Sequence, residues 1–510
     1  MGFVMVIVSI TPEIALDELF TYAGGLGVLE ADKLYGASRI GLDYIVLSIF
    51  YRRGYVDYRF DGETPIPLPQ RQPREAWRII EPEEEFAIGL RGEEVIVRPW
   101  VYERGSAKAV LFEAICPRWA RVLTDQVYVE NSIEEQFLRY AFLAKSSAYY
   151  LREVIGLENI SVIDLQEAHT SLLLLALPLE NRYRLIIHTP GPWGHPGFPG
   201  DFIAREFGSF LGDYVILTDM ALERVGKAFV VSKKHRDIMA KVFPRYSNKI
   251  TAITNGVDIY RWMHPKLLNA YLEDNLSKDL LKNVKEEARR ELIALLKKYK
   301  EKIDLGDKLI VVWTRRLARY KRPDFIARFI EDHHDVNAFF VLGGKPHPRD
   351  SDGLGYARRF RRLHLRFSNV VYVYDYNVVI AKKIFHAMNL LLFTPFSGWE
   401  ACGTSYMKAG INGAPILSSR DGGALEFIVD GENGWFFGED IRDFIDIYND
   451  PRAKEINEKE YREFEQKLLS IIDLYNNDRE RFYEIAFNTV KTFAPRVDIV
   501  NVLRKYYVKE

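Results

Sequence analysis

Short apolar runs that alternate with helical patterns recur along the chain, and they restrict its fold more than any other feature. Each run ends in small or polar residues and leads into a helical pattern. Such runs are typical of strands buried on both faces of a parallel sheet. In the N-terminal half the predicted strands are 3–9, 44–49, 160–165, 184–187, 228–232 and 250–254. This half is therefore expected to form a doubly wound α/β domain.

A second series of apolar runs predicts a second domain of the same kind. Its strands are 309–313, 338–342, 370–373, 389–393 and 414–418. The charged helical stretch 271–302 bridges the two series, and the Pro-rich segment 64–73 is interpreted as a surface loop. We expect two Rossmann-like domains, 1–265 and 266–485, facing across a cleft. Residues 486–510 are predicted to form a C-terminal helix that packs back on the first domain.

Composition excludes several classes of protein. A chain of 510 residues is too long for one hydrophobic core, and a formal charge of −1 offers no general attraction for nucleic acid or an anionic membrane. No apolar run approaches the roughly 18 residues that span a bilayer. Cys116 and Cys402 are too few for a disulfide framework or a Cys-based zinc site, so we expect a cytoplasmic protein without a metal. The scarcity of Gln beside many charged residues favours a thermophilic source.

The segment Ala23-Gly24-Gly25-Leu26-Gly27 follows the first predicted strand and precedes a helix expected from near Val28. Closely spaced glycines let backbone N–H groups approach an anion at a helix N-terminus. A tight strand-to-helix turn explains the same glycines equally well, so the motif alone leaves both interpretations open.

The segment 313–322 places five cations within eight residues at the end of an apolar strand. They are Arg315, Arg316, Arg319, Lys321 and Arg322. Guanidinium groups and an ammonium group suit one or more phosphates. A solvated basic helix face is the alternative, but the position at a strand end favours an anion site.

The segment 400–413 combines a Gly-containing loop with a helix. Gly403, Thr404 and Ser405 are predicted to open the helix, whose free N–H groups favour an anion. Lys408, one turn further and flanked by apolar residues, is predicted to be desolvated, and a desolvated amine forms a Schiff base more easily. A surface lysine on an amphipathic helix is the alternative. Polar residues also follow other predicted strands, namely Glu167, His169, His188, Asn255 and Lys345.

Several of these segments together resemble the α-glucan phosphorylases. TYAGGLGVLEADKLYGAS (21–38) is similar to their Gly-rich entry, and IHTPGPWGHPGFP (187–199) resembles their histidine-containing segment. TRRLARYKRPD (314–324) resembles their phosphate-binding stretch. EACGTSYMKAGING (400–413) resembles the block whose lysine carries pyridoxal phosphate. The resemblance covers nearly the whole chain and implies a GT-B-like pair of domains.

The resemblance implies a retaining transfer of a terminal glucosyl unit from glycogen or maltodextrin to inorganic phosphate, giving glucose 1-phosphate. Lys408 would carry pyridoxal 5'-phosphate, whose phosphate would lie among Gly24, Gly25, Lys321, Thr404 and Ser405. Arg316, helped by Arg315, would bind the substrate phosphate. The reacting glucose would be held by Glu400, Asn255, His188 and Gly403, with Tyr320 nearby.

The chain also departs from the family pattern. Cys402 and Tyr406 stand where relatives usually have other residues, and DGGALEF (421–427) resembles nucleotide-sugar glycosyltransferases as much as phosphorylases. A glucosyltransferase that uses ADP- or UDP-glucose is therefore the alternative enzyme. A glucan-binding protein with a degenerate site is a third, non-enzymatic interpretation. The sequence leaves open whether the chain forms a homodimer.

Overall fold

The computed structural model describes residues 5–303 and 305–508, and it is a mixed α/β structure. Its strands are β1 Val6–Ile10, β2 Tyr44–Ile49, β3 Asp57–Asp61, β4 Thr64–Leu68, β5 Glu81–Pro82, β6 Phe86–Leu90, β7 Glu93–Arg104, β8 Ala107–Cys116, β9 Ile160–Gln166, β10 Tyr183–Ile187, β11 Gly197–Pro199, β12 Tyr214–Ile216, β13 Lys227–Val230, β14 Ile250–Ala252, β15 Leu309–Thr314, β16 Ala338–Gly343, β17 Val370–Val373, β18 Leu390–Phe393, β19 Ile416–Ser419 and β20 Gly434–Phe437. Residues 3 and 4 of the first predicted strand lie outside the described residues.

Helices follow most of the parallel strands. They are α1 Gly25–Arg39, α2 Ala76–Ile79, α3 Arg118–Arg121, α4 Ile133–Tyr149, α5 Leu173–Ala176, α6 Gly200–Phe207, α7 Leu217–Arg224, α8 Lys233–Val242, α9 Ile259–Trp262, α10 Pro265–Leu272, α11 Lys278–Leu296, α12 Pro323–Asp332, α13 Ser351–Arg366, α14 Val378–Ala387, α15 Ser405–Gly410, α16 Arg452–Asn477, α17 Arg479–Val497 and α18 Ile499–Tyr507. Within the described ranges, no helix is both long enough and apolar enough to cross a membrane.

The chain divides into two compact units. The first comprises 1–55, 69–254 and 502–510, and the second comprises 56–68 and 255–501. The division at Thr254 precedes the boundary expected at residue 265, and α17 belongs to the second unit. Of the predicted C-terminal helix 486–510, only the part after residue 501 belongs to the first unit, and residues 509 and 510 lie outside the described residues.

The first unit contains a sheet with the order β14-β13-β10-β9-β1-β2-β8-β7-β5, in which β6 also pairs with β7. The strands from β14 to β8 run parallel, and β1 is buried along nearly its whole length. Strands β5, β6 and β7 add an antiparallel edge that the sequence analysis missed. Buried residues alternate with exposed ones along β6 and with partly buried ones along β7, because antiparallel edge strands bury one face only.

The second unit contains a parallel sheet with the order β17-β16-β15-β18-β19-β20. Its central strands β15, β16 and β18 are buried at every residue, as continuous apolar runs predict. The chain order reverses between β15 and β18, so the loops after these two strands leave the sheet side by side. The residues that follow them, 315–322 and 394–404, are the segments in which the sequence places phosphate-binding groups.

Three local predictions were wrong. Segment 64–73 begins with β4, which pairs antiparallel with β3 as a hairpin, so it is not wholly a loop. Helix α1 begins at Gly25 and not near Val28, because the glycines form its first turn. The charged stretch 271–302 is interrupted between α10 and α11, where Ser277 accepts a hydrogen bond from the N–H of Leu280 and starts a new helix.

Candidate active site

An ion-pair cluster lies at the carboxyl ends of β15 and β18 in the second unit. Arg315 Nη2 donates to Glu400 Oε2 at 2.6 Å, and Lys321 Nζ donates to the same oxygen at 3.3 Å. All three side chains are at least mostly buried. One carboxylate therefore faces two cations, and the cluster has a surplus of positive charge.

Burial and mutual interaction shift the pKa values of this cluster. Burial alone would raise the pKa of Glu400, but Arg315 and Lys321 lower it below its ordinary value. Burial, followed by the charge of Arg315, lowers the pKa of Lys321 to about 7, although Glu400 opposes the shift. Burial, followed by the charge of Glu400, raises the pKa of Tyr320, and Arg316 donates a hydrogen bond to that tyrosine. The structure thus brings together Arg315, Arg316, Tyr320, Lys321 and Glu400.

The expectation that the whole basic run serves an anion was wrong for two of its five cations. Arg322 is 2% exposed, donates to the carbonyl oxygens of Thr394 and Pro395, and forms a buried ion pair with Glu460. Arg319 pairs with Asp352 at a partly exposed position. The short turn after β15 and the left-handed backbone at Arg322 point these two side chains elsewhere.

Asp421 holds the loop that carries Glu400. Its two carboxylate oxygens accept the N–H groups of Gly398 and Glu400, each at 2.8 Å, and the side chain is fully buried. Gly423 N–H donates to the carbonyl oxygen of Cys402 on the same loop. Sequence reasoning noticed 421–427 only as a resemblance. Its position directly after β19 was the signal that could have identified Asp421.

Phe393 links the arginine to the glycine loop. The Arg315 guanidinium lies 4.2 Å from the centroid of the Phe393 ring, which favours a cation. Gly403 has φ +69°, and a Cβ there would approach that ring to 2.6 Å. Gly403 is required by both its backbone angle and its close packing.

Lys408 is buried, with 6% of its surface exposed, as the sequence predicted. Its Nζ donates to Thr404 Oγ1 at 3.2 Å and lies 4.1 Å from the centroid of the Trp262 ring. Ser405 Oγ is buried and has no hydrogen-bond partner among the described residues. Trp262, which sequence reasoning missed, belongs to α9 and gives no local motif.

Asn255 also lies beside the 400–408 loop. Its backbone N–H donates to the sulfur of Cys402, whose thiol pKa burial raises to about 12. The Cys402 sulfur lies 3.6 Å from the Tyr406 hydroxyl. The two residues that depart from the family pattern therefore contact each other.

The Gly-rich turn lies in the first unit, and a carboxylate of the protein itself already accepts hydrogen bonds from its backbone. Glu13 Oε2 accepts the N–H groups of Ala23 at 2.5 Å and Gly24 at 3.0 Å. A Cβ at Gly25 would meet no atom within 4 Å. A phosphate at Gly24 would have to compete with the Glu13 carboxylate, so that assignment stays a prediction.

His188 follows β10 in the first unit, and its Nε2 lies 2.8 Å from Gln166 Oε1. The segments that follow β9, β10 and β13 carry four groups with buried polar atoms that have no hydrogen-bond partner in the described part of the chain. These atoms are Glu167 Oε2, His169 Nδ1, His195 Nε2 and His235 Nε2. Burial raises the pKa of Glu167 to about 8 and lowers those of His169 and His195 to about 4 and that of His235 to about 3. Near pH 7 the histidines are neutral and the carboxyl is largely protonated.

No group of three or more His, Cys, Asp or Glu suited to a metal ion occurs within residues 5–303 and 305–508. The second unit presents concentrated positive charge, and the first unit presents neutral hydrogen-bonding groups.

Comparison with known proteins finds similarity to phosphorylases of glucans. Residues 365–503 match the Phosphorylase family model, described as carbohydrate phosphorylase. The maltodextrin phosphorylase of Thermococcus litoralis is 25% identical, over 96% of this chain and 68% of its own length. A glycogen phosphorylase of Aquifex aeolicus is 25% identical, over 85% of this chain and 76% of its own length. An uncharacterized protein of Methanocaldococcus jannaschii is also 25% identical, over 96% of both chains.

The fold and the cationic strand-end site define a mixed α/β protein with parallel sheets and a candidate anion site. Among such proteins, the chain is similar to carbohydrate phosphorylases, whose family model it matches over residues 365–503.

Proposed function

We propose that the protein is an α-1,4-glucan phosphorylase that transfers a terminal glucosyl unit from glycogen or maltodextrin to inorganic phosphate. The product is glucose 1-phosphate with retained configuration. The observation that carries the proposal is the buried cluster of Arg315, Lys321 and Glu400 at the ends of two parallel strands. The GT-B-like arrangement remains a prediction of the sequence, which leaves the oligomeric state open.

The cluster supports phosphate binding because it has unused donors as well as charge. Arg315 Nη1 is buried and has no hydrogen-bond partner among the described residues. Its other terminal nitrogen, Nη2, is held by Glu400. An anion that accepts from Nη1 would satisfy an atom whose burial otherwise costs about 1–3 kcal/mol. Arg316, which lies near enough to bond Tyr320, supplies a second guanidinium.

The residues around Lys408 fit pyridoxal 5'-phosphate. Lys408 provides a buried amine, the Trp262 ring provides a flat apolar surface beside it, and the buried Ser405 hydroxyl has no hydrogen-bond partner within the described ranges. The first turn of α15 supplies N–H groups that suit a phosphate. When bound, the cofactor supplies a phosphate group that supports the proton of the substrate phosphate.

The reaction requires little of the protein beyond positioning and charge. Arg315 and Arg316 hold inorganic phosphate, whose proton passes to the glycosidic oxygen as the bond from that oxygen to the anomeric carbon breaks. A phosphate oxygen then forms a bond to the same carbon. Positive charge fixed in a buried site stabilises the anion during this exchange. Glu400, Gly403 and Asn255 are proposed to contact the glucose.

The neutral groups of the first unit suit the glucan. Sugar hydroxyls both donate and accept hydrogen bonds, and they carry no charge. Neutral imidazoles together with a protonated carboxyl offer both roles without attracting an anion. His188 and its neighbours are therefore proposed to bind glucan hydroxyls.

The decisive experiment measures glucose 1-phosphate formed from maltodextrin and inorganic phosphate by the purified protein supplied with pyridoxal phosphate. Borohydride reduction followed by peptide mass analysis should fix the cofactor on the peptide that contains Lys408. Lys408→Ala should abolish both signals. Glucosyl transfer from ADP- or UDP-glucose that survives Lys408→Ala would instead establish the nucleotide-sugar enzyme. Glucan binding without either reaction would establish a binding protein.

A further inference from the structure

A buried ion pair lies behind His188 in the first unit. Lys33 Nζ and Glu30 Oε1, one turn apart on α1, are 2.7 Å from each other, with side-chain exposures of 1% and 0%. A fully buried pair of charges is a weak stabilising device, because removing both from water costs about as much as their attraction returns. Because the pair lies close to His188, which is proposed to bind the glucan, we look for a role other than stabilising the fold.

Polar contacts connect the pair to His188. Ser9 Oγ donates to Glu30 Oε2 at 2.7 Å, and Gln166 Nε2 donates to Ser9 Oγ at 2.9 Å. Lys33 Nζ donates to Gln166 Oε1 at 3.4 Å, and His188 Nε2 lies 2.8 Å from the same oxygen. The contacts join α1, β1, β9 and the residue that follows β10.

The direction of every hydrogen bond in this network follows from its two charged ends. A carboxylate can only accept, so Ser9 must donate to Glu30 and its oxygen receives the Gln166 amide. An ammonium group can only donate, so the Gln166 carbonyl oxygen must face Lys33. His188 Nε2 meets that same oxygen and must therefore carry a proton. The other ring nitrogen, Nδ1, is then an acceptor whenever the ring is neutral.

The surroundings keep the ring neutral. Burial, followed by the charges of Lys33 and His235, lowers the pKa of His188 well below its ordinary value. His188 is nevertheless only partly buried.

We propose that Glu30 and Lys33 act through Ser9 and Gln166 as positioning residues that hold His188 with its proton on Nε2. Nδ1 is thereby presented as an acceptor for a hydroxyl group of the sugar. The sugar part rests on the proposed function, whereas the tautomer does not. In the other tautomer Nδ1 would carry the proton and donate, so the hydroxyl group of the sugar would have to accept.

The tautomer is measured directly by long-range nitrogen–proton NMR of the full chain labelled with ¹⁵N-histidine. His188→Gln identifies the His188 signals among the ten histidines. We expect a neutral ring protonated at Nε2 in the wild-type protein. A ring protonated at Nδ1, or charged at pH 7, would overturn the proposal without any variant.

Two variants test the role of the network. Gln166→Met replaces the amide, whose oxygen accepts from His188, by an apolar side chain of similar size. The variant should convert His188 to a mixture of tautomers. Gln70→Met, at another buried glutamine of the same unit, is the matched control and should leave the His188 signals unchanged. An unchanged tautomer in folded Gln166→Met would refute the role of the network.

The paired variant Glu30→Gln with Lys33→Met keeps the net charge and removes both fixed ends. It should raise the KM for maltodextrin about tenfold while leaving the KM for phosphate unchanged, and Lys33→Arg alone should retain most of the wild-type value. An equal rise in both KM values would indicate a merely structural role and contradict the proposal. If the wild-type protein shows the expected tautomer and no phosphorolysis, the proposed function fails while the positioning stands.

Discussion

Arg315 and Glu400, which are 85 residues apart in the sequence, form a 2.6 Å ion pair whose members are 5% and 12% exposed. The pair joins the loop after β15 to the loop after β18. It is not electrically balanced, because Lys321 shares the same carboxylate oxygen. The pair therefore serves to fix the direction of one guanidinium while its remaining nitrogen stays available.

Arg315→Met should lower kcat/KM for phosphate by about 10- to 100-fold, since a hydrogen bond to a charged group contributes about 1.5–3 kcal/mol. The loss should appear mainly as a higher KM for phosphate in steady-state phosphorolysis. Arg319→Met is the matched control, because it removes a cation of the same run that pairs with Asp352 at a partly exposed position. Equal losses in the two variants would show that general charge and not the buried cluster binds phosphate.

Arg322→Met should destabilise the protein and leave the phosphate site of the folded fraction intact. Removing one member of the buried pair leaves Glu460 as an unpaired buried charge, which costs about 3–5 kcal/mol. Urea unfolding should show the loss, and the KM for phosphate should stay within about twofold of the wild-type value. Adding Glu460→Met should recover part of the stability. A tenfold rise in the KM for phosphate would show that Arg322 does contribute to phosphate binding.

Strands buried on both faces were predictable from the sequence. Strands β2 and β17 coincide with their predicted bounds, because each is a continuous apolar run that is buried at every residue. The antiparallel edge formed by β6 and β7 was missed. The prediction relied on strands buried on both faces, whereas β6 and β7 bury one face only. The burial of Lys408 was predictable from its apolar neighbours.

The direction of individual side chains was not predictable. Arg315 and Arg322 are the same residue type in one basic run, yet one joins Glu400 and the other joins Glu460. The choice depends on the turn between them and on partners distant in the sequence. Asp421 and Trp262 were missed for the same reason, since both act through contacts that no local motif reports.

Glu167 should make the stability of the protein depend on pH. Burial raises the pKa of its carboxyl from the ordinary value of 4.5 to about 8 in the folded state. The folded state therefore binds more protons than the unfolded state between these values. The contribution of Glu167 to stability is fully present below pH 4.5, declines as pH rises, and is lost above about pH 8.

Glu167→Gln should remove this pH dependence of stability, because the amide does not titrate and has nearly the same size as the carboxyl. The free energy of unfolding of the variant, relative to wild type, should increase between pH 5 and pH 8 by up to about 1.4 kcal/mol per pH unit. Urea unfolding of both proteins at three pH values measures it, and Glu84→Gln at an exposed position is the control. A pH-independent difference would show that the carboxyl is ionised throughout.

Gly403→Ala should damage the site more than its backbone angle alone explains, and Gly41→Ala separates the two effects. Both glycines have φ +69°, where a residue with a Cβ loses about 1–2 kcal/mol, but a Cβ at Gly41 meets no atom within 4 Å. At Gly403 the added methyl group must also displace the Phe393 ring, on which the Arg315 guanidinium rests. We therefore expect both variants to lower the midpoint of thermal unfolding, and only Gly403→Ala to lower kcat/KM for phosphate, by about tenfold or more. Unaltered phosphorolysis in Gly403→Ala would mean that the ring and the guanidinium move independently of the phosphate site.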